Sequence, residues 1–471
     1  MKKFLIIFVI FFIVVMTAVV VVALNNSGST GKPAPVTLKY WRVIDEAEKF
    51  DEIIAQYQKL HPNVTIDYRK FRQEEFEKML IEAMAIDQGP DIFSIHNTWM
   101  QKYVRKGLIV PLPPKTTMIG KTQEGLVRKE TVYKKISQPS LTVADIKNQF
   151  IDTVYRDVVI QSVGAMNQEI YGLPMAVDTL ALFYNKDLLN NASIAKPAAT
   201  WDEVNQQVPR LVKFNAKEEI IQAGINLGGS KNSERSTDIL SVLMLQSGAE
   251  MIDVNGMISF NRVPRTLQNQ NYNPGVEALS YYRDFANIGK DVYTWNPELN
   301  SAVDMFVNGR LAMLIGYSYL LPQIKERAPR LNFGIAPLPQ LASGDKNSEY
   351  QKTNFANYWI ETVSVKTQFK DEAWDFLQYA TREENVKNYL DKTGKPTALR
   401  SLYDAQRSDE QISVFAEALL TAKTWYRGLD IESTERAFTE MIDEARTADT
   451  DSLDKIIGNT AQKVQQTMNY D

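Results

Sequence analysis

Residues 170–189 read IYGLPMAVDTLALFYNKDLL, and this stretch decides how the rest of the chain is interpreted. Within it, residues 180–184 are apolar or aromatic in unbroken succession, which is typical of a strand buried on both faces. A helix is predicted soon afterwards, because Thr200 stands where an N-cap residue belongs and Glu203 follows it at the third helical position. A buried strand followed by a capped helix is a building unit of α/β folds.

Strands and helices also alternate on both sides of this stretch. Residues 36–41, 64–68 and 91–95 are β-prone, and a segment with apolar residues at helical spacing lies between each pair. This β-α-β-α-β order predicts a parallel sheet covered by helices. The other predicted elements are strands at 312–315 and 331–335, helices at 237–248 and 274–286, and amphipathic helices in the C-terminal region.

Composition excludes several classes of function. The chain has 471 residues and is 44% hydrophobic, which is enough for two or three domains with cores. Its 53 basic and 57 acidic residues leave no positive excess for a phosphate backbone, so nucleic acid is not an expected partner. The sequence has no cysteine and only two histidines, His61 and His96, which makes thiol chemistry impossible and a zinc site unexpected. We interpret His96 as a hydrogen-bonding residue at a strand end and expect neither metal nor cofactor.

The N-terminus contains an apolar segment that bears on localisation. Lys2 and Lys3 precede a run without charge from Phe4 to Leu24, which is long enough to cross a bilayer of about 30 Å as a helix. The basic side is expected to stay in the cytoplasm and the rest of the chain outside it. We expect residues 1–24 to form an uncleaved anchor, followed by a flexible tether at 25–35. A signal peptide cleaved after Ala23, with secretion of the remainder, is the alternative.

A set of motifs occurs along the chain in a fixed order. In addition to 170–189 they are Gly89-Pro90-Asp91-Ile92, Trp201-Asp202-Glu203, residues 306–313, Gly316-Tyr317-Ser318, residues 333–339, and residues 373–377 with Glu384, Asn385 and Tyr389. Together they resemble the extracellular solute-binding proteins of ABC sugar importers, the maltose-binding-protein-like family, over most of residues 36–402. The chain departs from that pattern in lacking a lipid-attachment cysteine, in its long N-terminal apolar segment and in an apparent insertion at 113–148.

The resemblance implies an architecture and a function. The fold would be a two-lobed, periplasmic-binding-protein-like α/β fold with a hinge of crossover segments and a helical C-terminal region. The expected first lobe is 36–179 with 339–363, the expected second lobe is 182–336 with 366–471, and the crossovers lie near 177–183, 335–338 and 360–365. The protein would bind a carbohydrate between its lobes, outside the cytoplasm, and deliver it to the permease subunits of an ABC transporter.

A carbohydrate site needs flat aromatic rings for the C–H faces of the sugar and polar groups for its hydroxyls. We selected tryptophans at strand ends or in polar surroundings, polar residues at a strand end or crossover, and the tyrosines of the turn after a predicted strand. The candidate ligand-binding residues are Trp41, Asn97, Trp99, Asp178, Trp295, Tyr317, Tyr319, Trp359 and Trp425. The alternative for the rings is core packing, and for Asp178 a helix cap or hinge salt bridge. Trp201 and Trp374 are predicted to be core residues.

Two other functions compete with transport. A glycosidase would use a pair of carboxylates, but the sequence has no such pair with a recognisable spacing, and no hydrolase, zinc-protease or phosphate-loop motif. A membrane-anchored sensor or adhesion ectodomain on the same fold stays open, and an adjacent permease gene would decide against it. We therefore expect a binding protein without enzymatic activity.

Overall fold

The computed structural model describes residues 33–124, 130–162, 164–268, 272–342 and 352–468. The predicted membrane segment, from Phe4 to Leu24, and residues 25–32 of the predicted tether lie outside these ranges. Within the described ranges, no helix is both long and apolar enough to cross a membrane. The chain divides into two compact units, which are described separately.

Strands and helices alternate along most of the described chain. The strands are β1 (Val36–Val43), β2 (Val64–Phe71), β3 (Ile92–His96), β4 (Lys115–Glu124), β5 (Glu130–Pro139), β6 (Val159–Ile160), β7 (Glu169–Ile170), β8 (Asp178–Thr179), β9 (Ala181–Asn185), β10 (Lys213–Phe214), β11 (Ile220–Ile225), β12 (Leu311–Gly316), β13 (Phe333–Pro337), β14 (Asn354–Asn357), β15 (Trp359–Val363) and β16 (Ala422–Lys423). The helices are α1 (Asp51–Leu60), α2 (Gln73–Ala85), α3 (Met100–Arg105), α4 (Val143–Gln149), α5 (Asp152–Val158), α6 (Lys186–Asn191), α7 (Trp201–Leu211), α8 (Ser236–Gln246), α9 (Pro274–Asp284), α10 (Ala302–Val307), α11 (Leu320–Arg327), α12 (Lys370–Ala380), α13 (Glu383–Thr393), α14 (Tyr403–Arg407), α15 (Ser413–Ala418), α16 (Ile431–Thr447) and α17 (Leu453–Met468).

The first unit comprises the described residues up to Ile92 together with Pro113–Ser140 and Thr367–Tyr379. Its strands β1 and β2 pair in parallel, as the β-α-β pattern predicted. The segment predicted as an irregular insertion contains the antiparallel hairpin β4–β5, whose Thr117 N–H donates to Asp371 on α12 at 3.1 Å. Trp374 is fully buried in this unit, as predicted.

The second unit comprises the described residues of Phe93–Leu112 and Leu141–Lys366 and those from Ala380 onward. Its main sheet has the order β10-β11-β12-β9-β13. The run at 180–184 forms β9, which is antiparallel to both of its neighbours, so that Phe183 pairs with residues on β12 and β13. The side chains of β9 are buried on both faces, because Leu182 packs in one core cluster with Trp201 of α7, and Ala181 and Phe183 pack in a second cluster.

Several elements of the second unit end close to one another in space. Strand β3 pairs with β15, and β14 lies between β16 and β8 in a separate three-stranded sheet. His96 ends β3, Asn357 ends β14, and β16 leads into Thr424. The first turn of α8 and the face of α16 complete the surroundings of these ends. The result is a set of polar side chains held by short strands rather than by a long loop.

Candidate functional site

A cavity lies where these ends meet, inside the second unit. Its volume is about 30 Å³, which is space for one or two water molecules. Its walls are residues from the end of β3, the first turns of α8, the end of β14, the segment 424–426 and the face of α16. Its lining combines charged and polar side chains with the rings of Phe355, Trp425, Tyr426 and Phe438.

Arg235 is held in a strained position at the edge of the cavity. It precedes α8 with φ 58° and ψ 31°, a left-handed conformation that costs a non-glycine residue about 1–2 kcal/mol. Its guanidinium donates Nε–H to Asp238 Oδ2 and Nη2–H to Asp238 Oδ1, each at 2.9 Å. The same Nη2 lies 3.2 Å from Glu435 Oε1 of α16. Burial alone would lower the pKa of Arg235, but the two carboxylates raise it well above its usual value.

His96 connects the end of β3 to the same carboxylate. Its Nε2 lies 2.9 Å from Asn357 Oδ1, and Asn357 Nδ2 donates to Asp238 Oδ2 at 3.3 Å. Since the amide of Asn357 uses its N–H toward Asp238, its oxygen accepts from His96, which assigns the imidazole proton to Nε2. Nδ1 then accepts from the Thr98 hydroxyl at 2.7 Å. Burial and the charge of Arg235 lower the pKa of His96 to about 4, so the ring is neutral at physiological pH.

Two indoles beside His96 form a corner of aromatic surface. The ring of Trp359 meets His96 edge-on at 5.6 Å between centroids, and Trp99 meets Trp359 at 5.7 Å with the ring planes 78° apart. Trp99 is backed by Tyr103, whose ring lies 6.1 Å away and nearly parallel. Trp99 and Trp359 are half-buried, so part of each ring is accessible to a ligand.

Two more predicted rings, those of Tyr317 and Trp425, lie near the network formed by Arg235, Asp238 and Glu435. Tyr317 is buried and donates its hydroxyl to Asp238 Oδ2 at 2.7 Å, and the exposed ring of Tyr319 stacks on it at 5.9 Å. Trp425 lines the cavity and donates its indole N–H to Ser241 Oγ at 3.1 Å. The structure therefore joins Tyr317 to Asp238 and Trp359 to His96, whereas Trp425 is a core residue that lines the cavity.

Asp178 is held by the protein itself. Its carboxylate accepts from Ser318 N at 3.0 Å, Ser318 Oγ at 2.8 Å, Tyr319 N at 3.3 Å and Thr179 N at 2.9 Å. These donors fill the acceptor positions of a carboxylate, so Asp178 fixes the turn that carries Tyr319. Burial raises the pKa of Asp178 to about 6, although the four hydrogen bonds oppose this shift.

Three other residues predicted to bind ligand lie away from the cavity or make hydrogen bonds within the protein. Trp41 is a buried residue of β1 in the first unit, where its ring packs 4.5 Å from that of Phe71. Trp295 has no exposed surface, because it fills the core beneath Gly229 and donates its indole N–H to Asn232 at 3.0 Å. Asn97 borders the cavity but donates its amide to the buried Asp157 at 3.3 Å.

Sequence reasoning missed the charged centre of the site. Arg235, Asp238, Asn357 and Glu435 were not selected, although Arg235 and Asp238 stand at an i, i+3 spacing in a polar run before a helix. That spacing is compatible with an ordinary surface ion pair. Nothing in the neighbouring sequence indicates that Glu435, on a helix far away in the chain, also pairs with Arg235. Together these groups place charged donors and acceptors at a water-sized cavity with aromatic rings next to it, and side chains of these types recognise polyhydroxylated ligands.

Comparison with known proteins places the chain in a family. A family model described as bacterial extracellular solute-binding protein matches residues 52–416, and the chain belongs to that family. Among curated relatives, a binding protein of Brucella abortus (strain 2308) is 23% identical over 341 residues, 71% of this chain and 69% of that protein. The maltotriose-binding protein of Pyrococcus abyssi is 20% identical over 419 residues, 87% of this chain and 78% of that protein.

Solved structures agree with the fold. A cyclo/maltodextrin-binding protein complexed with maltotetraose matches with a TM-score of 0.68 at 16% identity, covering 93% of this chain and all of the other. An ABC transporter solute-binding protein from Thermotoga lettingae, bound with α-D-tagatose, matches with a TM-score of 0.66 at 16% identity and covers 92% of this chain. The two-lobed, periplasmic-binding-protein-like α/β fold predicted from the sequence is confirmed.

Proposed function

We propose that this protein binds a carbohydrate at the site built around Arg235, outside the cytoplasm, and delivers it to the permease subunits of an ABC transporter. The observation that carries the proposal is the fork of Arg235 between Asp238 and Glu435, with Tyr317 bonded to Asp238 and Trp425 lining the same cavity. The half-buried rings of Trp359 and Trp99 adjoin this centre through His96. Charged donors and acceptors pair with sugar hydroxyls, and indole and phenol rings cover the apolar faces of the sugar. Relatives named as maltotriose-binding and galactooligosaccharide-binding proteins support this ligand class.

The proposal is tested by thermal unfolding in the presence of a glycan panel. The panel takes maltotriose, maltotetraose, mannotriose, tagatose and acarbose from the names and titles of the similar proteins. A ligand at a hundred times its dissociation constant stabilises a protein by about 2.7 kcal/mol, which raises the unfolding temperature measurably. Calorimetry of any stabilising glycan then gives the affinity. A chain that no member of a broad mono- and oligosaccharide panel stabilises does not have this function.

We propose that Asp238 and Glu435 hold Arg235 in place for ligand binding and do not hydrolyse the ligand. Both oxygens of Asp238 accept hydrogen bonds from Arg235, and Oδ2 also accepts from Tyr317 and Asn357. A carboxylate satisfied in this way is fixed as an acceptor and is poorly placed to transfer a proton or attack a sugar carbon. We expect a bound oligosaccharide to be recovered intact after prolonged incubation, as chromatography of the released ligand would establish.

We also propose that the run from Phe4 to Leu24 attaches the protein to the membrane. The length of the run and the two preceding lysines support an uncleaved anchor that leaves the rest of the chain outside the cytoplasm. The expected result is that the protein in cells fractionates with membranes, resists extraction by salt and is released by detergent. A mature N-terminus near Leu24 or Asn25 and recovery in the soluble extracellular fraction would instead establish a cleaved signal peptide.

Replacing Asp178 by alanine is expected to weaken glycan binding at least tenfold. The turn that carries Tyr319 would lose the acceptor of its backbone N–H groups, and a buried, hydrogen-bonded carboxylate contributes about 1.5–3 kcal/mol. Calorimetry measures the change. The matched control is Asp187→Ala in the same unit, where an exposed carboxylate accepts one hydrogen bond from Asn332. Equal affinities in the two folded variants would assign Asp178 to stability alone.

A further inference from the structure

A buried carboxylate lies behind the cavity without lining it. Asp157, on α5, has a side chain with no exposed surface, so no ligand reaches it. The function proposed above makes no use of this group. Burying a charge is unfavourable unless it is paired and hydrogen-bonded, so a carboxylate in this position needs a specific set of partners.

Every partner of Asp157 is a donor, and the donors come from three separate segments. Its Oδ2 accepts from Tyr358 Oη at 2.7 Å and from Asn97 Nδ2 at 3.3 Å. Its Oδ1 accepts from Thr424 Oγ1 at 2.8 Å and forms an ion pair with Arg427 Nη2. A single side chain thus joins the end of β3, the link between β14 and β15, and the segment after β16.

In each of these three segments, a residue bonded to Asp157 has a neighbour in the chain that lines the cavity. Asn97 follows His96, Tyr358 follows Asn357, and Thr424 precedes Trp425. The first two segments are also joined directly, since Asn97 N donates to Tyr358 O at 3.0 Å. A displacement at Asp157 would therefore be transmitted through one peptide unit to three residues that face the cavity.

We propose that Asp157 is a positioning residue of the carbohydrate site, which holds His96, Asn357 and Trp425 at their mutual spacing through their neighbours in the chain. The inference rests on the proposed function and adds to it a residue that touches no ligand. A carboxylate suits this role because it offers only acceptors to four surrounding donors. An amide of the same shape would direct N–H groups at some of those donors.

The test compares Asp157→Asn with the wild-type protein. Affinity for maltotriose, or for the panel glycan that the wild type binds most tightly, is expected to fall at least tenfold by calorimetry. In the ligand-free protein, the ¹H–¹⁵N signals of the His96 ring and of the Trp425 indole are expected to shift. Unchanged affinity and unchanged ring signals in a folded Asp157→Asn protein would overturn the inference.

A milder variant keeps the inference testable where Asp157→Asn does not fold. Tyr358→Phe removes one hydroxyl donor to Asp157 without altering a residue that lines the cavity. It is expected to lower the affinity about two- to tenfold, because it removes a single hydrogen bond, and to shift the same His96 signals. A folded Tyr358→Phe protein with wild-type affinity and wild-type His96 signals would contradict the inference.

A control variant at another buried residue separates an effect of Asp157 on side-chain positions from a general loss of stability. Arg283→Gln alters a residue of the same unit that is buried and donates to Ala448 O and Thr450 Oγ1, away from the cavity. This control is expected to lower the unfolding temperature but to leave the affinity and the ring signals unchanged. If Arg283→Gln moved the same ring signals, positioning by Asp157 would be rejected. If the wild type bound no glycan, the proposed function would fail, while the ring signals of the ligand-free protein would still report on the inference.

Discussion

Replacing Arg235 by alanine is expected to lower glycan affinity at least a hundredfold, a loss of about 2.8 kcal/mol. The guanidinium is the group that faces both Asp238 and Glu435, at 2.9 and 3.2 Å. Its removal takes away charged donors and also leaves two carboxylates near each other without the cation that pairs them. Asp238 is buried and would lose its cation, which is unfavourable, so the remaining carboxylates would turn toward water or take up protons.

Calorimetry on three variants tests this expectation. Arg235→Lys keeps the charge but lacks the planar fork, so its affinity should lie between those of the wild type and Arg235→Ala. Arg210→Ala is the matched control in the same unit, because Arg210 donates only to the carbonyl oxygens of Ala192 and Ser193 on the surface. We expect Arg210→Ala to bind normally. Wild-type affinity in a folded Arg235→Ala protein would remove this residue from the site and with it the main support for the proposed function.

The second large effect concerns pH and follows from His96. Its pKa is about 4 in the folded protein against an ordinary value of 6.5, because burial and Arg235 disfavour the imidazolium. A group with a depressed folded pKa contributes stability that is present above pH 6.5 and is lost as the pH falls toward 4. The free energy of unfolding is expected to fall by about 3 kcal/mol across this window through His96 alone.

Denaturant unfolding of the wild type and His96→Gln over pH 4–7 measures this contribution. The glutamine amide keeps a donor for Asn357 but does not titrate, so the variant should lack the His96 part of the pH dependence. Carboxylates titrate in both proteins, and the difference between the two curves therefore isolates the histidine. Parallel curves would mean that His96 is protonated or exposed in the folded state, contrary to its bonds with Thr98 and Asn357.

Local signals in the sequence were sufficient to predict the secondary structure around residues 170–203. The predicted cap at Thr200 is confirmed: Glu203 N donates to Thr200 Oγ1 at 3.2 Å, and the carboxylate of Glu203 accepts from Ala199 N. This cap is local, because all of its atoms lie within residues 199–203. The buried strand β9 was readable for the same reason, since burial on both faces produces an unbroken apolar run.

The site was only partly predictable, because its centre is formed by contacts between distant segments. Asp238 and Asn357 are 119 positions apart, and His96 and Asn357 are 261 positions apart, yet both pairs are hydrogen-bonded. The position after a strand led to Trp99, whereas Trp295 was selected because it lies outside an evident apolar stripe, and the fold places Trp295 in the core. Aromatic rings serve both cores and ligand sites, so composition alone does not separate Trp425 at the cavity from Trp295 beneath Gly229.

The left-handed backbone of Arg235 has a consequence for laboratory evolution. Glycine adopts φ 58° without a steric cost, but it also removes the cation that pairs Asp238 and Glu435. A library screened only for heat resistance, with no glycan present, should therefore recover glycine at position 235 together with a change at one of those two carboxylates. Such proteins would be relieved of the backbone strain but unable to bind. Adding ligand during the screen would retain the arginine, which makes the residue recovered at position 235 a record of whether the selection kept recognition.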